Sequence, residues 1–268
     1  MGDNFLGEKK GHVYHITINR PDKRNALTFE MLQEIADMVE GLAKDPEIRA
    51  ILLKGAGKMF SSGVDLGSLA GLLPLFTADE AAGGGGIRDL VAKGQRCYNL
   101  LESIEIPIIC AIHNRVQGMA VELVLACDIR LMSEECAWGL QEVKFGLIPD
   151  LGGNTRLSRL VGPARAMEVN MTGRLFTARQ ALQWGLASYL YPEEKLFEEA
   201  EKLAIEIASN APLAVGSIKK VVRRGLAFDQ ATQLEMEGFY QSICGRSEDF
   251  REGVNAMLEK RAPVWKRK

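Results

Sequence analysis

Three histidines, His12, His15 and His113, are all that the 268-residue chain holds. A histidine-based triad or metal site would need more than these, and neither H-E-x-x-H nor the nucleophile-elbow pattern G-x-S-x-G occurs. Cysteine is scarce too. Cys97, Cys110, Cys127, Cys136 and Cys244 are odd in number, lie mostly in apolar stretches and show no zinc-knuckle or redox spacing. They read as reduced packing residues, which favours the cytoplasm or an organelle matrix of reducing character. No sign of charge dominates: 33 Lys and Arg against 35 Asp and Glu leave a net charge of −2. Nothing therefore draws the chain to nucleic acid or to an anionic membrane surface. No apolar run approaches a membrane span, and the polar residues 1–10 lack the apolar centre of a signal peptide. Gly55-Ala56-Gly57-Lys58 looks faintly like a phosphate loop, but Met59 follows where Ser or Thr is needed. The glycines at 83–86 do not form G-x-G-x-x-G after a strand and read as a flexible connector. These absences leave carboxylates as the candidate chemistry, with no metal and no separate cofactor expected.

Apolar residues make up 47% of the chain and charged residues 25%, a composition that can fill a sizeable core. Residues 12–18 alternate and are rich in β-formers, which predicts a strand. After a polar turn at 21–26, Thr28 is a good N-cap for a helix with Leu32, Ile35, Ala36, Val39 and Leu42 at helical spacing, stopped by Asp45-Pro46. Residues 50–54 read as a short strand buried on both faces. A loop runs from 55 to 67, and 68–86 shows no clear period, which suggests a mobile insert. A helix at 87–102, a strand at 108–112, a helix at 118–126 and a strand at 127–132 follow. Beyond a loop at 137–153 helices dominate, with Pro163 and Pro212 at helix starts and Thr177 as a cap. Residues 193–261 read as three or four amphipathic helices. Strand–helix alternation first and helices afterwards implies an α/β core with a helical tail.

In Gly118-Met119-Ala120-Val121-Glu122-Leu123-Val124-Leu125-Ala126 every side chain except Glu122 is apolar or absent, so this helix should be buried all round. A buried carboxyl must find a partner or stay neutral. Either an arginine elsewhere in the core pairs with it, or it is a catalytic acid or base with a raised pKa. Glu122 falls in the first helical turn, where free N–H groups and the positive dipole end stabilise an anion, including the enolate oxygen of a thioester that loses its α-proton. A second loop, Phe60-Ser61-Ser62-Gly63-Val64-Asp65-Leu66, either presents another amide after the sharp turn that Gly63 permits or is an ordinary turn after a strand. The third stretch, 138–153, carries Glu142 and Asp150 in mostly apolar company, with Lys144 as an ion-pair partner for either. If both acids converge on Glu122, like charges in one apolar pocket raise at least one pKa and set a proton donor beside an acceptor.

Asn19-Arg20-Pro21, Asn25-Ala26-Leu27, the 60–66 loop, Ala126-Cys127-Asp128-Ile129-Arg130, Gly146-Leu147-Ile148-Pro149, Gly152-Gly153 and the tail from Asp249-Phe250-Arg251-Glu252-Gly253 to Glu259-Lys260-Arg261 stand in order along the chain. Together they resemble the enoyl-CoA hydratase/isomerase (crotonase) family over nearly its whole length. The resemblance implies a crotonase-like spiral of repeated ββα units over 1–195 with the CoA-binding and catalytic site. It implies a C-terminal helical trimerisation region over 196–268, in a homotrimer or a dimer of trimers. It implies an oxyanion hole from the amides of Val64 and Met119. CoA phosphates would lie near Lys23 and Arg24, adenine and pantetheine along Asp65, Leu66 and Gly67, with Gly118 at the substrate. Glu122 and Glu142 match the two catalytic glutamates of the family.

Asp150 stands where many hydratases carry glycine and dienoyl-CoA isomerases carry an acid. The long insert between Asp65 and Pro107 also resembles those isomerases, whereas Glu122 replaces their usual aspartate. Met119 at the donor position keeps its amide but reshapes the acyl pocket. Asn114 and Arg115 replace residues that are usually small, and Arg115 is either a surface charge or a substrate contact. The sequence therefore points to carboxylate acid–base chemistry on an unsaturated acyl-CoA, by hydration or by double-bond isomerisation with a slight lean to the latter. A non-catalytic acyl-CoA-binding protein, or a family hydrolase or decarboxylase, is the alternative.

Overall fold

The computed structural model describes residues 4–77, 86–225 and 227–268. β1 (Phe5–Lys10) pairs antiparallel with β2 (Val13–Ile18), and β2 continues in parallel through β3 (Ala50–Gly55), β4 (Ile108–Ile112), β6 (Ile129–Ser133) and β9 (Tyr189–Tyr191). A smaller sheet joins β5 (Arg115–Gln117), β7 (Ala137–Gly139) and β8 (Phe176–Thr177). Polar residues 5–10 were not expected to form a strand. They do because β1 is an edge: five of its six positions are exposed and only Phe5 is buried.

The helices are α1 (Phe29–Ala43), α2 (Leu66–Gly71), α3 (Leu73–Thr77), α4 (Ile87–Ser103), α5 (Met119–Ala126), α6 (Gly153–Val161), α7 (Pro163–Thr172) and α8 (Ala178–Gln183), then α9 (Glu193–Ala208), α10 (Pro212–Gly225), α11 (Gln230–Arg246) and α12 (Glu248–Glu259). The expected signals act as stated: Thr28 caps α1 through the Met31 amide, and Thr177 forms a capping box with Gln180 at α8. The expected insert is partly helical. Asp65 caps α2, and helical structure continues to residue 77, while the glycines at 83–85 lie outside the described residues.

Both faces of the main sheet are covered, and the strand period of two divides its side chains between two cores. Ile51, Leu53, Ile108, Cys110 and Ile112 face the larger core with α1, α4 and α5. Ala50, Leu52, Ile109 and Ala111 meet Leu196, Ala200, Ala204 and Ala208 of α9. Alanine every fourth residue gives α9 a flat face against the strands. The 195/196 division expected from the sequence thus falls inside α9, a helix that belongs to the core sheet.

The 126–130 motif has a structural task. Arg130, 5% exposed, donates to the carbonyls of Val124, Cys127 and Leu186, closing the C-terminus of α5. Asp128 accepts from the Ile108 amide at 2.8 Å and pairs with Lys219 of α10 at 2.8 Å and Arg223 at 3.1 Å. Lys219 is buried and also donates to the carbonyls of Leu101 and Ile106. Removing its carboxylate leaves an uncompensated buried ammonium, so Asp128→Ala should lose about 3 kcal/mol in urea unfolding. A loss below about 1 kcal/mol would show that α10 docks without this pair.

Candidate active site

Two backbone turns meet at the N-terminus of α5. The Phe60 amide donates to His113 O at 3.1 Å and the Ser61 amide to Arg115 O at 3.1 Å, laying the 60–64 loop along β5. Gly63 has φ +90°, and a Cβ there would sit 2.7 Å from Gln117 O and 3.6 Å from the Gly118 Cα. Only glycine allows this approach. Gly118, with φ +51°, then opens α5 without a side-chain cap. Among the described residues, neither the Val64 amide beyond the first turn nor the Met119 amide beyond the second donates to a protein acceptor. Two free N–H groups from adjoining turns can receive an anion, as helix N-termini do.

Glu122 lies one turn into α5 and is 2% exposed. Among the described residues its carboxyl is met by backbone amides. Its Oε1 accepts the amides of Leu151 and Gly153, each at 2.8 Å. The paired glycines at 152–153 make this possible, because a Cβ on Gly153 would lie 3.0 Å from Glu122 Oε1 and 2.5 Å from the Pro149 Cβ. Arg156, the nearby guanidinium, turns away to the Leu151 carbonyl, Asn99 and Glu102. Glu142 opens a short 3-10 helix (Glu142–Phe145), and its Oε1 lies 3.1 Å from where a Gly118 Cβ would stand. Its buried Oε2 has no hydrogen-bond partner among the described residues. Lys144 forms no ion pair with Glu142 or Asp150 there.

Burial pushes all three carboxyls up, and their mutual repulsion orders them. Asp150 is raised by desolvation alone. Glu142 is pushed up to about 7, by desolvation first and then by the Asp150 charge, against the pull of backbone amides. Glu122 stands well above the usual carboxylate range, by desolvation first and then by the charge on Glu142, although the Gly153 and Leu151 amides oppose this. At neutral pH Glu142 therefore stands close to its midpoint, and the upward shift of Glu122 favours its protonated form.

A cavity of about 460 Å³ is bordered by Glu122, Glu142, Asp150, Val64, Met119, Gly118, Lys23, Arg24, Asp65, Leu66 and Gly67. Every site residue taken from the sequence thus reaches one cavity. Lys23 and Arg24 are exposed at its rim, next to Asp22. The Asp65 side chain is already engaged: it caps α2 through the Gly67 and Ser68 amides and pairs with Arg20 at 3.0 Å. Arg115 is exposed and does not border the cavity. Sequence reasoning missed the apolar wall of Leu69, Leu72, Phe76, Ile87, Phe145 and Ile148. The helical spacing of Leu69, Leu72 and Phe76 was the available signal, hidden by the glycines and prolines around it.

The enoyl-CoA hydratase/isomerase family profile matches residues 8–268. The chain belongs to this family. Like other family members, it is an enzyme of the hydratase or isomerase type, with the crotonase fold of its structural neighbours. It is 34% identical to the short-chain-enoyl-CoA hydratase of Clostridium acetobutylicum, covering 97% of this chain and 96% of that one. It is 33% identical to the mitochondrial Delta(3,5)-Delta(2,4)-dienoyl-CoA isomerase of Mus musculus, covering 93% of this chain and 77% of that one. The crystal structure of an enoyl-CoA hydratase from Bacillus anthracis superposes with a TM-score of 0.90 at 33% identity, covering 99% of this chain and 100% of that one.

The raised carboxyls of this family member make its stability depend on pH. Glu142 holds its proton up to about 7 in the folded chain, against 4.5 for an ordinary glutamate. The folded state therefore binds more protons than the unfolded one between these values, and stability falls as pH rises through them. Glu142→Gln removes that fall. Its thermal midpoint should gain on that of the parent chain between about pH 4.5 and pH 7; a constant difference across that range would contradict the buried-acid assignment.

Proposed function

We propose that the enzyme moves protons on an unsaturated acyl-CoA thioester through an enolate whose oxygen is held by the Val64 and Met119 amides. The observation that carries this reading is the convergence of three carboxyls of different proton affinity on one cavity with those two free amides. Coenzyme A enters with the substrate, and the reaction draws on no further cofactor. Its phosphates lie at Lys23 and Arg24, with the adenine and pantetheine along Asp65, Leu66 and Gly67. The amides stabilise negative charge that develops only as the α-carbon is deprotonated or its double bond attacked.

Double-bond isomerisation is the favoured reaction, because Asp150 adds a third titrating group to the cavity. Asp150 takes a proton from the acyl chain as the electron pair moves to the thioester oxygen. Glu142 returns a proton at the other end of the conjugated system as the enolate collapses. Glu122, whose burial favours the protonated form, holds the reacting group. Hydration is the second reading, favoured by the Glu122–Glu142 pair: the two hold a water whose hydroxyl adds to C3 while its proton reaches C2. Assembly as a homotrimer or dimer of trimers is part of the proposal. It is supported by exposed apolar side chains on the last helices, among them Phe239, Phe250, Met257 and Leu258. The free cysteines suggest a reducing compartment such as the cytoplasm.

Mass spectrometry of products formed in heavy water from 2-enoyl-CoA and 3,5-dienoyl-CoA esters separates the readings. A shifted double bond with no added water supports isomerisation, whereas gain of one water on the 2-enoyl ester makes the enzyme a hydratase. In the isomerase case Asp150→Asn should lower turnover by about a hundredfold or more, the usual worth of a positioned acid or base. Glu142→Gln should abolish turnover in either case and leave binding of a saturated CoA ester intact. Full activity in that variant would remove Glu142 from the mechanism.

A further inference from the structure

One face of α4 touches two segments that carry the site, the loop from Asp150 to Arg156 and the start of α5. Gln95 donates to the Asp150 carbonyl at 2.7 Å. Asn99 and Glu102 hold Arg156, which donates to the Leu151 carbonyl at 2.7 Å and so steadies the loop whose amides bind Glu122. Between these contacts Tyr98 is completely buried, and its phenol donates to the Met119 carbonyl at 3.0 Å. Positions 95, 98, 99 and 102 follow helical spacing, so the face is continuous.

The Tyr98 bond falls where α5 has least support of its own. Gly118 supplies no side-chain cap, and its φ of +51° and ψ of −130° lie outside the helical region. The peptide that carries the Met119 amide is held on one side through the Gly118 carbonyl, which accepts the Val121 amide at 2.7 Å and the Glu122 amide at 3.2 Å, and on the other Tyr98 grips the Met119 carbonyl. Glu122 rides three residues further on the same turn. We propose that Tyr98 is a positioning residue, which locks the first turn of α5 so that the Met119 amide and the Glu122 carboxyl keep their aim at the reacting thioester. Tyr98 does not border the cavity and so acts through these two groups. Its phenol is pushed well above its usual range, by burial first and by the neighbouring Glu122 next, and it remains a donor throughout the working pH range.

The inference rests on the enolate chemistry proposed above, and the test keeps the two apart. The probes are a 3-ketoacyl-CoA ester, which enolises readily, and the saturated ester of the same length. If the parent enzyme binds the ketoester no better than the saturated one, and shows no absorption of bound enolate, the enolate reading itself fails. If the parent prefers the ketoester, Tyr98→Phe decides on Tyr98. The variant keeps the ring and loses only the hydroxyl. It should lose about tenfold in kcat and in ketoester affinity, as expected for one misaligned donor, while the saturated ester binds within about twofold of the parent. Preference for the ketoester and kcat both at parental level would overturn the proposal. Equal losses for the two esters, or a fall in thermal midpoint that prevents recovery of folded protein, would also overturn it, since the bond would then serve the pocket or the fold as a whole.

Discussion

The Oε1 of Glu122 accepts the amides of Leu151 and Gly153 at 2.8 Å, and the rest of the site is arranged around that bond. An arginine in the same place would have fixed Glu122 as a carboxylate. Two backbone amides satisfy the oxygen without supplying a full charge, so burial and the neighbouring acids still dominate and hold the carboxyl well above the usual carboxylate range. The bond also explains the local sequence. Gly153 must lack a side chain for its amide to reach Oε1, and Arg156 is drawn to the outer side of the loop by Asn99 and Glu102.

From this constraint a division of labour follows. The fold brings backbone donors, carboxyls and apolar side chains to the border of one cavity. Burial raises all three acids, and the charges of neighbouring acids add to this at Glu142, pushed up to about 7, and at Glu122, held well above the usual carboxylate range. Proton donors and acceptors can thus share one cavity.

Much of this was legible in the sequence, for physical reasons. A single carboxyl in an otherwise apolar helix stands out, because burying it is costly; Glu122 could be singled out before its partners were known. Gly63 marked a sharp turn, Gly118 a helix start, and the glycines at 152–153 a motif shared with the family. What Gly63, Gly118 and Gly153 approach, namely Gln117, Glu142 and Glu122, lies far along the chain, which no local pattern reveals. The edge strand β1 was missed because an edge needs only one buried side chain, Phe5. The acyl-side wall was missed because α2 and α3 are short and start from a cap at Asp65 rather than from a long apolar period. Tyr98 gave no signal, since a tyrosine in an amphipathic helix reads as core until its hydroxyl finds the Met119 carbonyl. Of the family motifs, Asp128 and Arg130 hold the fold, whereas Glu142 and the glycines of the two turns shape the cavity.

Infrared difference spectroscopy of the carboxyl stretch, comparing the parent enzyme with Glu122→Gln across neutral pH, tests the protonation of Glu122 directly. The parent should show a protonated-carboxyl band at neutral pH that is missing from the variant, and that band should persist after Glu142 has ionised above about 7. A carboxylate band alone at neutral pH, with no protonated carboxyl lost on substitution, would mean that the two amides hold Glu122 as an anion and would contradict the ordering of the three acids.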